Sequence, residues 1–102
     1  MAAYLIVDVV RIHDPQTYDR YKPQVAAGLA AAGGRYLARG GTVDVLEGDW
    51  KPNRLIVVRF DSAAEARRWW ASDGYAPLRQ MRQSSTDCNM LIVEGCAERD
   101  TP

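Results

Sequence analysis

The sequence predicts an α+β plait of order β-α-β-β-α-β, a four-stranded antiparallel sheet with its helices on one face. Three observations carry this. Four short runs are rich in Val, Ile and Leu and bounded by turn residues. Two stretches with apolar residues three and four apart fall between the first and second runs and between the third and fourth. The chain has 102 residues, one domain's worth, enough to bury roughly two-thirds of its unfolded surface. Two helices shared among four strands in this order give the ferredoxin-like arrangement.

The first strand is expected at residues 3–12. Asp14-Pro15 then supplies a helix cap and a proline at the first helical position. The stripe Tyr18, Tyr21, Val25, Leu29 and Ala32 extends the helix to about residue 32, where Gly33-Gly34 stops it. Pro23 lies inside and is expected to kink or interrupt it, because it lacks an N–H and crowds the preceding turn. The second strand is expected at 35–46, broken at Gly40-Gly41, since strand glycines mark a bulge or a close backbone approach. Residues 47–53 form a turn and 54–60 the third strand. Ser62 and Glu65 make a capping box for a helix that carries Ala66, Trp69 and Trp70. Ser72-Asp73-Gly74 breaks it, Pro77 restarts a short helix to about residue 82, and the fourth strand covers 89–95. Residues 1–97 are read as one domain and 98–102 as a frayed C-terminal tail.

Composition excludes several classes. Thirteen basic and thirteen acidic side chains balance, so the basic excess of a nucleic-acid binder is missing. No apolar run approaches the ~20 residues that cross a bilayer. The opening Met-Ala-Ala-Tyr-Leu-Ile-Val-Asp has no basic region and reads as a strand rather than a signal peptide, so the expected location is the cytoplasm. Cys88 and Cys96 flank a strand that would hold them ~26 Å apart, too far for a disulfide. Two free thiols are expected, as in a reducing compartment. They have no metal-ligand spacing and the chain has one His, so no metal site is expected. Neither a phosphate loop nor a dinucleotide fingerprint nor a Ser/His/Asp set occurs, and no cofactor is expected.

Both faces of the central strands are apolar. Leu5, Val7 and Val9 alternate with Tyr4, Ile6 and Val10; Ile56, Val58 and Phe60 alternate with Leu55 and Val57. Helices cover one face only. The other would expose a large apolar patch, so it needs a partner, most simply a second copy of the same sheet. Asp8, Arg59 and Glu94 interrupt the apolar pattern on three strands. They are expected either to meet on the helix-free face, beside Ile6, Leu55, Val57 and Ile92, or to sit at solvated strand ends.

Several segments together resemble a known family. They are Arg39-Gly40-Gly41, Glu47-Gly48-x-Trp50-x-Pro52-x-Arg54, Ser62-x-x-Glu65-Ala66, Trp70-x-Ser72-x-x-Tyr75, Arg79 with Arg82, and Val93-Glu94-Gly95. Over residues 4–95 the chain resembles the domain of unknown function 1330 family, within the dimeric α/β-barrel superfamily. The resemblance implies a ferredoxin-like protomer and a homodimer whose sheets close into a barrel. It implies no reaction and carries over no catalytic residue. The wider superfamily includes cofactor-free monooxygenases, lactone isomerases and haem enzymes; haem is not expected, because the only axial candidate, His13, falls at a strand end.

Candidate site residues each have two readings. Arg39, Glu47 and Arg54 surround the glycine pair and the turn: a site for an anion or for acid–base work, since guanidinium suits a planar carboxylate, or an Arg–Glu pair that fixes the turn or the dimer. Trp50, Trp69, Trp70 and Tyr75 are core, interface or ligand-contact aromatics. Arg79 and Arg82, three apart on one helix face, with Ser84, Ser85 and Thr86 hold a phosphate or carboxylate, or are solvated. Arg59 belongs to the possible polar cluster. His13 is a general base or a surface residue. Asp8 is a rival base, because a carboxylate in an apolar pocket has a raised pKa.

Two functions fit these readings. One is a cofactor-independent enzyme acting on a small anionic substrate in a cleft beside the sheet. Arg39 or Arg54 would orient the substrate and Asp8, Glu47 or His13 would accept the proton. The other is a non-catalytic dimeric module that binds a metabolite or a protein.

Overall fold

The computed structural model describes residues 1–96. The expected tail at 98–102 lies outside the described residues. Strand β1 (Ala3–Ile12) leads to helix α1 (Pro15–Ala31), then β2 (Arg35–Arg39), β3 (Arg54–Phe60), helices α2 (Ala63–Trp70) and α3 (Ala76–Ser85), and β4 (Thr86–Glu94). The strands form one antiparallel sheet in the order β2-β3-β1-β4. This is the ferredoxin-like plait, with α2 and α3 as the two pieces of the second helical region. No helix among the described residues is long and apolar enough to cross a membrane.

Local chemistry explains the boundaries. Asp14 accepts from the Thr17 backbone N–H at 3.2 Å, and Pro15 opens α1. The expected break at Pro23 does not occur: α1 runs through it. Pro23 and Asp19, one turn back, are both exposed, so the carbonyl that loses its intrahelical donor faces water. Gly33 ends the helix at a φ of 86°, which only glycine adopts cheaply. Glu65 donates its backbone N–H to Ser62 Oγ at 3.1 Å, the expected cap of α2.

Two expectations need correction. Strand β2 ends at Arg39 rather than running to 46. Gly40 makes the last contact with β3, donating to the Leu55 carbonyl at 2.9 Å, and its φ of 73° turns the chain away. Residues 41–53 then form an irregular arm that exposes Val43, Val45, Leu46 and Trp50. Strand β4 starts at Thr86, three residues before the expected 89. Its register sets Ile92 opposite Leu5 and Glu94 opposite Ala3, on the helix-covered side.

The expected charge cluster therefore does not assemble. Asp8 stands opposite Leu55 and Asn89, whereas Arg59 stands opposite Tyr4, four residues further along β1, or ~13 Å away. Arg59 pairs instead with Asp61 at 3.0 Å.

The core lies between sheet and helices. Leu5, Val7, Val9, Val58 and Phe60 meet Tyr18, Tyr21, Val25 and Leu29 of α1, with Ala66, Trp69 and Tyr75 closing the far side. Trp69 packs on Tyr75 at 4.1 Å and on Phe60 at 6.0 Å between ring centroids. On the opposite, helix-free face Leu91 is 53% exposed, with Val93 and Val10 also open. Cys88 and Cys96 are both free.

Candidate functional site

A narrow cleft enters the core between α1 and the β2–β3–β1 part of the sheet. Its floor is Val7, Val9, Ile56 and Val58; its α1 wall is Tyr18, Tyr21 and Val25. Lys22, Arg39 and Arg54 stand around it, and Arg82 reaches it from α3. Among the described residues no Asp or Glu lines it. The enclosed space is about 30 Å³, room for roughly two waters. A metabolite is larger than this space, so its entry requires side chains of the lining to move.

Lys22 pairs with Asp19 at 3.2 Å, whereas the three arginines are held by aromatic groups. Arg54 donates through Nε to the Tyr18 hydroxyl at 3.2 Å. Tyr18 stacks on Tyr21 with ring centroids 5.7 Å apart. The Arg39 guanidinium lies 4.6 Å from the centre of the Tyr36 ring, a cation–π contact. Gly40 makes room for Arg54: a Cβ there would fall on the guanidinium. The glycine pair thus serves close approach at its first member, while Gly41 has nothing near it.

Arg82 is the most telling side chain. It is 6% exposed, and among the described residues it pairs with no carboxylate; the ion pairs there are His13–Asp87, Lys22–Asp19 and Arg59–Asp61. Its Nε donates to the Tyr75 hydroxyl at 3.2 Å, and Tyr75 meets the Tyr21 hydroxyl at 2.9 Å. Burial works most strongly against the Arg82 charge, but Tyr75, Cys88 and Tyr21 together outweigh it, so its pKa moves up and the group stays cationic. Burial first, and Tyr75 next, push the Tyr21 phenol far above its usual range, so Tyr21 is a proton donor and not a base. Burial raises the Cys88 thiol more than the neighbouring Arg82 lowers it. On its other side Arg82 borders an outer groove of about 420 Å³ between α2, α3 and β4.

The other candidates fall elsewhere. Asp8 is on the helix-free face, 6% exposed, where the Trp50 indole donates to its Oδ2 at 2.9 Å and Oδ1 is buried without a partner. Glu47 is exposed on the arm, away from Arg39 and Arg54. His13 sits 3.6 Å from Asp87 at the sheet end. Arg79 donates to the Trp70 carbonyl at 2.6 Å and covers the Trp70 ring at 4.8 Å, closing the end of α2. Ser84, Ser85 and Thr86 donate to the Met81 and Arg82 carbonyls, finishing α3. Tyr75 is buried inside the protomer. Tyr18, Tyr21 and Tyr36 were read as core or left unassigned; their signal is that a buried Tyr, unlike Phe, needs a hydroxyl partner. Among the described residues no three His, Cys, Asp or Glu side chains gather as a metal site would require.

The fold and the cleft define a class: a small α+β protein with a phenol-lined, acid-free cationic cleft against one face of its sheet. The family model of the domain of unknown function DUF1330 matches residues 2–96, and the chain belongs to that family. Among solved structures it is similar to RPA0582, a protein of unknown function from Rhodopseudomonas palustris, with a TM-score of 0.72 and 16% identity over 94% of this chain and 83% of that one. It is similar to a dimeric ferredoxin-like protein of unknown function from Jannaschia sp. CCS1, TM-score 0.66, 15% identity, covering 93% and 100%. It is also similar to SnoaB, a cofactor-independent oxygenase from Streptomyces nogalater, TM-score 0.60, 14% identity, covering 98% and 97%. No curated protein matches the sequence. At these identities the likeness is one of fold.

Proposed function

We propose that the protein is a homodimeric, cytoplasmic, cofactor-independent enzyme that takes a small anionic metabolite into the cleft between α1 and the sheet. The observation that carries this reading is Arg82, a buried cation with no acid beside it, bordering the cleft. A buried unpaired charge costs several kcal/mol, and such costs are retained where a ligand supplies the missing charge. Arg39, Arg54 and Lys22 add to the same positive field. Arg54 and Arg82 hold the anion. With Arg82 donating to the Tyr75 oxygen, the Tyr75 O–H is free to donate to the Tyr21 oxygen, leaving the Tyr21 O–H to donate to the ligand as an oxyanion donor. The fold-level likeness to SnoaB supports chemistry without an organic cofactor. The apolar helix-free face and the dimeric Jannaschia protein support a homodimer closed through that face. The two free thiols fit a reducing compartment.

A second reading, a non-catalytic metabolite-binding dimer, is favoured by one observation. Asp8, Glu47 and His13, the expected proton acceptors, do not line the cleft. Native mass spectrometry of freshly purified protein tests both the assembly and the ligand. A dimer that retains a small acidic molecule, lost when Arg54 is replaced by Gln, supports the cleft. A monomer at micromolar concentration sinks the dimer, and a retained cation or neutral lipid sinks the anion site.

A further inference from the structure

We infer that the ligand of the cleft is a dianion, a short dicarboxylate or its keto analogue, with one head held by Arg54 and the other by Arg82. The inference rests on the reading of the cleft as an anion site and adds the substrate class. The sheet register supplies the geometry. Arg54 on β3, Val9 on β1 and Cys88 on β4 stand in one row across the helix-covered face. Arg54 and Cys88 are therefore two strand spacings apart, ~10 Å. Arg82 and Cys88 line the same outer groove, and Arg82 shares the cleft with Arg54 and Val9, so the two cations enter the row from its two ends, with apolar Val9 between them.

Both guanidiniums are oriented in advance. Arg54 is tied through Nε to Tyr18 and Arg82 through Nε to Tyr75. Neither forms an ion pair among the described residues. Both face the same cavity. A single carboxylate neutralises one of them and leaves the other bare. Each charge-assisted contact spans ~2.8 Å, so carboxylates that bridge the pair lie nearer each other than ~10 Å, the range from succinate to adipate. Tyr18 and Tyr21 stack above the row and offer hydroxyl groups between the two heads, where a keto oxygen of the ligand would sit.

The test is isothermal titration of the intact protein at low salt with succinate, glutarate, adipate and, as a monoanion of similar size, butyrate. Wild type is expected to bind its best dicarboxylate about 10- to 100-fold more tightly than butyrate, the effect of one added charge-assisted contact. Arg54→Gln and Arg82→Met are each expected to remove most of that preference. Should Arg82→Met fail to fold by circular dichroism, Arg82→Lys and the wild-type chain-length series carry the test. Equal affinity for butyrate and every dicarboxylate overturns the dianion while leaving the anion cleft standing. So does a preference that survives loss of either Arg. Failure of every anion to bind overturns both.

Discussion

Arg82 donates to the hydroxyl of Tyr75 at 3.2 Å in a part of the core where neither meets a carboxylate. A buried guanidinium satisfied by a neutral phenol keeps its charge uncompensated. Arg82→Met, which keeps the stem and removes the charge, is expected to leave stability unchanged or raise it by about 1–3 kcal/mol, because a well-packed apolar replacement avoids the desolvation cost. Anion binding is expected to be lost. Urea unfolding with and without glutarate measures both; marked destabilisation would show that Arg82 holds the core rather than the ligand.

Trp50 and Asp8 form a long-range polar contact between the arm and the helix-free face. Since Asp8 Oδ1 already lacks a partner, Trp50→Phe leaves the whole buried carboxylate unbonded. The expected cost is about 1–3 kcal/mol. Much of it should return in the double variant Asp8→Asn, Trp50→Phe, and a double-mutant cycle by chemical denaturation reads the coupling.

Gly40 and Gly41 are adjacent but not equivalent. Gly40→Ala places a methyl on Arg54 at a φ of 73° and is expected to cost about 1–2 kcal/mol and to weaken anion binding. Gly41→Ala meets open space and is expected to do neither. Melting temperatures and titrations of the pair distinguish a cleft effect from a general one.

Tyr21 makes stability depend on alkaline pH. Its phenol is raised above the ordinary 10.0 by burial and by Tyr75, and Tyr36 is raised by burial despite Arg39. A raised phenol contributes stability that is full below the unfolded value and is lost as pH climbs through the folded one. Urea midpoints are expected to hold steady up to about pH 9 and fall above about pH 10. The fall should be shallower in Tyr21→Phe; an identical slope would place the alkaline loss elsewhere.

Leu91 tests the subunit contact. Placing a charge on the apolar helix-free face opposes a dry sheet-to-sheet interface. Leu91→Arg is expected to convert the proposed dimer to a monomer in sedimentation. Gln80→Arg, exposed on α3, should leave the assembly as it is.

What the residues revealed in advance follows from how local each signal was. Strands β1 and β3 are rich in Val and Ile with sharp turn residues at their ends, and the Ser62–Glu65 cap spans three residues. Register is less local. The pairing of β4 with β1 puts Ile92 and Glu94 on the helix-covered face rather than the expected helix-free one. Val43, Val45 and Leu46 have strand propensity, yet the left-handed Gly40 directs the chain off the sheet before they can pair. The glycines beside them singled out Arg39 and Arg54, and both line the cleft. Arg82 was not distinguishable from Arg79 by spacing; Tyr75 draws one inward and the Trp70 carbonyl holds the other. The Trp50–Asp8 contact joins residues 42 positions apart, which no pattern along the chain announces.

The acid-free lining also acts as a filter. On the proposed reading an α-amino acid would bring its ammonium group beside Arg39, Arg54 and Arg82, where no Asp or Glu among the described residues lines the cleft. The corresponding keto acid, of the same skeleton and size, carries no such group. If the cleft takes an anion as proposed, repulsion alone would favour the deaminated acid over its amino counterpart, before any shape in its floor is consulted.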